Sequence, residues 1–102
     1  MKIFVDIKSK VIAGAVKQVV LLLVNTVSVN DSDSADLVIV DSVDKAMDLL
    51  IKGEPVVFQL VTDSKEIATG LLENPNFAGR FKIFKVLEIP NMLLEISKLS
   101  KE

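Results

Sequence analysis

The chain has 102 residues, half of them apolar and a quarter charged, with a net charge of −2 and neither Cys nor His. That length suits one domain around one core, and the charge leaves no basic footprint for direct nucleic-acid binding. The missing residue types remove disulfides, thiolate metal sites, cysteine nucleophiles and the commonest general base, so any chemistry rests on Asp, Glu, Lys, Ser and Thr.

Residues 2–6, Lys-Ile-Phe-Val-Asp, read as a strand ending in an acid and are too polar at Lys2 and Asp6 for a signal peptide. Residues 8–24 predict a long helix, with Val11, Ala15 and Gln18 on one side and Ile12, Val16, Val19 and Leu23 on another. Its final stretch, 19–24, is apolar all round, which a helix tolerates only when covered on more than one side; an extended last turn is the alternative. Gly14, Lys17 and Gln18 interrupt this region, and it is shorter than the roughly 20 residues a membrane span needs. The expected compartment is therefore the cytoplasm, with no membrane contact.

Residues 26–30, Thr-Val-Ser-Val-Asn, alternate as a half-buried or edge strand does, and Asp31-Ser32-Asp33-Ser34 reads as a loop too short to hold a helix. Asp31, Asp33 and Asp36 lack the glycine and closing glutamate of a calcium loop, so they read as solvated. The stretch 35–41, Ala-Asp-Leu-Val-Ile-Val-Asp, organises the chain. Its unbroken apolar run predicts a strand buried on both faces, the centre of a parallel sheet. Ligand sites in such sheets lie at the carboxyl ends of the strands, where Asp41 falls.

Either Ser42 or Asp41 suits the cap of a helix over 43–52, with Asp44 in its first turn and Gly53 as its stop. After Pro55, residues 56–61 predict a strand, which Thr62-Asp63-Ser64 ends. Asp63 and Glu66 form a capping pair for a helix through Glu73, stopped by Asn74-Pro75-Asn76. Residues 81–87 are the last predicted strand, and Pro90 opens a final helix with Leu93, Leu94, Ile96 and Leu99 on its apolar face. Residues 97–102 are charged and small, as the start of a linker would be.

Strands alternating with helices predict an α/β fold with a five-stranded parallel sheet and helices on both faces. Asp6, Asp41, Thr62 and Lys85 then fall at carboxyl ends of strands, where two carboxylates, a hydroxyl and an ammonium suit phosphoryl transfer. Each also has a plainer reading. Asp41 suits a helix cap, Thr62 a turn, and Lys85 an edge lysine that discourages further pairing.

The order and spacing of these motifs resemble the receiver domains of two-component response regulators, the CheY-like family, over nearly the whole chain. Met-Lys-Ile-Phe-Val-Asp resembles the family's opening strand and acid, and Ala-Asp-Leu-Val-Ile-Val-Asp its phosphoacceptor strand. Leu-Val-Thr resembles the end of the fourth strand, and Ala-Gly-Arg-Phe-Lys-Ile-Phe-Lys the approach to the lysine on the fifth. The resemblance implies a flavodoxin-like three-layer sandwich with strand order 2-1-3-4-5. It also implies that Asp41 takes the phosphoryl group, that Asp6 and Asp41 hold Mg²⁺, and that Thr62 and Lys85 bind the phosphoryl oxygens.

The chain departs from the family in ways that bear on function. One acid stands at the end of the first strand where the family has two, because Ile7 follows Asp6. Val86 replaces the proline after the lysine, the second helix is missing or replaced by a short loop at 31–35, and the segment from Asp41 to Thr62 is short. The implied protein is a degenerate receiver, a regulatory or dimerisation domain that is not an enzyme and comes from a larger signalling protein such as a transcriptional regulator. Its expected partners are an output domain or histidine kinase and a second copy of itself, through the first helix or the final strand and helix. Mg²⁺ is expected to bind weakly, and Ile7→Asp to restore the paired acids and tighten it. The alternatives are a working receiver phosphorylated on Asp41 with Mg²⁺, and a small α/β ligand-binding or enzymatic domain. No glycine-rich loop supports the last, because Ile7-Lys8-Ser9-Lys10 follows the first strand.

Overall fold

The computed structural model describes residues 1–23, 26–52, 55–61, 77 and 79–100. The helix expected over 63–73 and the side chain of Thr62 lie outside them. Five parallel strands form one sheet in the order β2-β1-β3-β4-β5, where β1 is Lys2–Asp6, β2 Val27–Ser28, β3 Leu37–Val40, β4 Val56–Val61 and β5 Phe81–Lys85. With the helices α1 (Lys10–Leu21), α2 (Val43–Lys52) and α3 (Ile89–Ser100) packed around it, this is the α/β flavodoxin-like arrangement.

Leu37, Val38, Ile39 and Val40 are all fully buried, as expected of a central strand covered on both sides. Alternation along the strands sorts the core into two halves. Ile3, Val5 and Ile7 join Leu37, Ile39, Phe58, Leu60 and Phe84 under α1 and α3. On the opposite face Val38, Val40, Val57 and Phe81 pack against Ala46, Leu49 and Leu50 of α2, with Phe4 alongside. Phe58 and Phe84 meet edge to face across β4 and β5, their ring centroids 5.2 Å apart.

The boundaries shift for local reasons. Ser9 caps α1, its Oγ accepting from the Ile12 N–H at 3.4 Å, so the helix begins at Lys10 rather than Lys8. It closes at Leu21 through tight i to i−3 bonds from Leu22 and Leu23, and the Thr26 hydroxyl donates to the Val20 and Leu23 carbonyls. Val16 and Val20 are its buried residues, whereas Leu22 is 82% exposed, so the apolar end, as far as residue 23, is covered on one side only. Residues 29–36 run from β2 to β3 without a helix. Asp31 organises that loop by accepting from the Ser34 N–H and hydroxyl, both at 2.9 Å, and the backbone bond holds its carboxyl below the usual carboxylate range. The last strand stops at Lys85 because Val86–Glu88 winds into a 3-10 turn, where the Glu88 carboxylate accepts from the Lys85 N–H at 3.0 Å. Pro90 is accordingly second in α3, still within the first turn, where a missing N–H costs no helical bond.

Candidate functional site

Asp6 ends β1, and its register partner on β3 is Val40, so Asp41 follows one step beyond on the adjacent strand. Topology thus sets the two acids side by side at the carboxyl edge of the sheet. Ser42, not Asp41, caps α2: its Oγ accepts from the Lys45 N–H at 3.2 Å and its carbonyl from the Ala46 N–H. Asp41 is therefore free of the helix terminus.

A third residue completes the cluster. The ammonium of Lys45, in the first turn of α2, lies 3.2 Å from Asp6 Oδ1 and 3.2 Å from Asp41 Oδ1, and donates to the Asp6 carbonyl at 3.4 Å. The other carboxylate oxygen of Asp41, Oδ2, accepts from the Lys8 N–H at 2.8 Å. Asp41 is the most enclosed member, with 12% of its side chain exposed, against 41% for Asp6 and 37% for Lys45. Burial draws the Lys45 pKa down, but the hydrogen bonds and charges of Asp41 and Asp6 outweigh it, leaving the ammonium above its ordinary 10.5. The stabilisation from this raised value is full below pH 10.5 and fades as pH climbs through the folded-state pKa. Lys45 is charged throughout the neutral range.

Lys45 was not among the residues expected at the site, although its four-residue spacing from Asp41 is the pattern of a paired acid and base at a helix start. Lys85 does stand at the end of β5, level with Val61, but it is solvent-exposed and its ammonium makes no ion pair with either acid among the described residues. Among the described residues the cluster is therefore Asp6 and Asp41 with Lys45, and Thr62, the fourth expected member, lies outside them.

Among the described residues the fit to Mg²⁺ is poor. A hard divalent ion needs oxygen ligands at about 2.0–2.1 Å, and the two acids direct theirs at an ammonium, with no third acidic side chain completing a cluster among the described residues. Nor can position 7 supply one. Ile7 is 8% exposed and belongs to the core under α1, because alternation along β1 sends it to the face opposite Asp6. The expectation that Ile7→Asp restores a paired acid is corrected accordingly: a carboxylate there enters the hydrophobic core.

No helix among the described residues is long and apolar enough to cross a membrane. Comparison with family models, curated proteins and solved structures finds no match to this chain in any of the three.

Proposed function

We propose that the chain is a regulatory or dimerisation module of the response-regulator receiver type, in a cytoplasmic signalling protein, whose acid site does not operate by phosphorylation. The observation that carries this reading is the state of Asp41, both of whose carboxylate oxygens are engaged by the chain's own donors, Lys8 N–H and the Lys45 ammonium. A carboxylate attacks phosphorus only with a cation placed to offset charge on the phosphoryl oxygens. Here Lys45, the cation that the described residues place at the site, is spent on the carboxylates themselves. The strand order and the acids at the carboxyl edge support the receiver type, and the expected partners are proteins, including a second copy of the chain.

Incubation with acetyl phosphate and Mg²⁺, followed by intact mass and amide spectra, tests the reading. The expected result is no phosphoryl adduct and no shift at the amides of 41–45, with beryllofluoride equally silent. An adduct that disappears in Asp41→Asn would overturn it and make the chain a working receiver.

A further inference from the structure

We infer that Lys45 is the resident cation of the Asp6–Asp41 pair and that its ammonium is what keeps divalent metal ions off the oxygens that converge there.

Three oxygens converge on one point: Asp6 Oδ1, Asp41 Oδ1 and the Asp6 carbonyl, at 3.2, 3.2 and 3.4 Å from Lys45 Nζ. An ammonium has three N–H donors and no acceptor, so donors and acceptors match one for one. Two carboxylates and a backbone carbonyl are also donors of the kind that hard divalent cations take. The site is therefore built for a cation, and the chain supplies its own. Position is secured at both ends of the residue. The Lys45 N–H is held by Ser42 Oγ at 3.2 Å, which fixes the backbone in the first turn of α2, while the acids hold the ammonium. A metal ion bound to the same oxygens would sit against that positive charge, so it binds only if the lysine is driven off. Removing the charge leaves two acids facing each other at the sheet edge without a counterion among the described residues.

Mn²⁺ titration of the whole chain, followed by relaxation of amide signals and without any phosphodonor, tests this separately from phosphorylation. In the wild type no saturable response is expected at the amides of Asp6, Ile7, Lys8, Asp41 and Ser42. Lys45→Met keeps most of the aliphatic stem and loses the charge; a saturable response is expected there, with a Kd at least about tenfold below any wild-type value. Lys45→Arg, which keeps the charge, should behave as the wild type does. A folded Lys45→Met that shows no saturable response, or a wild type that saturates at the same Kd, would overturn the inference. Should Lys45→Met lose its amide dispersion, Lys45→Gln is read in the same titration against the same two outcomes.

Discussion

Side chains alternate along β1, so Asp6 leaves the sheet on the side of α2 and Ile7 on the side of α1, although the two are adjacent in the chain. This alternation decides what each position tolerates. Asp6 is held in solvent-accessible surroundings by Lys45, whereas Ile7 packs among Ile3, Val5, Val16 and Val20. Ile7→Asp forces a carboxylate into that cluster and removes its apolar filling, with an expected loss of about 2–4 kcal/mol of unfolding free energy. Urea denaturation measures it. A loss below about 0.5 kcal/mol, the range of an ordinary surface change, would mean that the position is not core.

The final helix shows how a surface pair locates an element. Lys82 and Phe84 share a face of β5; Phe84 packs in the core beside Met92 and Ile96 of α3, while Lys82 reaches the Glu95 carboxylate at 2.7 Å. Lys98 adds a longer contact to the same carboxylate at 3.6 Å. The Lys82 hydrogen bond, followed by the charges of both lysines, holds the Glu95 carboxyl below its ordinary 4.5 in spite of desolvation. Because the folded-state value is depressed, the stabilisation is present above pH 4.5 and fades as pH falls through the folded-state pKa. Lys82→Met should move the Glu95 titration, followed by side-chain carboxyl NMR, back up toward 4.5 while leaving α3 docked. An unmoved titration would show that the pair does not persist in solution.

For the whole molecule, the apolar surface outside the core invites association. Val11, Leu21 and Leu22 of the α1 region are exposed, as are Val27 on the two-residue edge strand and Leu87 and Leu94 near the opposite edge. The proposed dimer closes such a patch against its copy through a two-fold axis. Leu22, at 82% exposure, contributes little to the monomer's core, so Leu22→Glu should change stability by no more than about 0.5 kcal/mol. If α1 is the interface, the same change should turn a dimer into a monomer in sedimentation equilibrium at micromolar concentration. A wild type that sediments as one chain throughout would reject the dimer.

Periodicity and local signals sufficed for much of this protein. The buried run 37–40, the strand 56–61 after Pro55 and the helix 43–52 all stand where local patterning places them, because two-sided burial and short-range capping are written into contiguous residues. The acids at the sheet edge were legible too, since a strand's carboxyl end follows from where its apolar run stops. Local patterning did not reveal that Lys45 stands between those acids, that Ser42 rather than Asp41 caps α2, or that Ile7 belongs to the core. Asp6 and Lys45 lie 39 positions apart. Parallel pairing of β1 with β3 and the docking of α2 on one face of the sheet bring them together, and that placement exists only once the layers have packed.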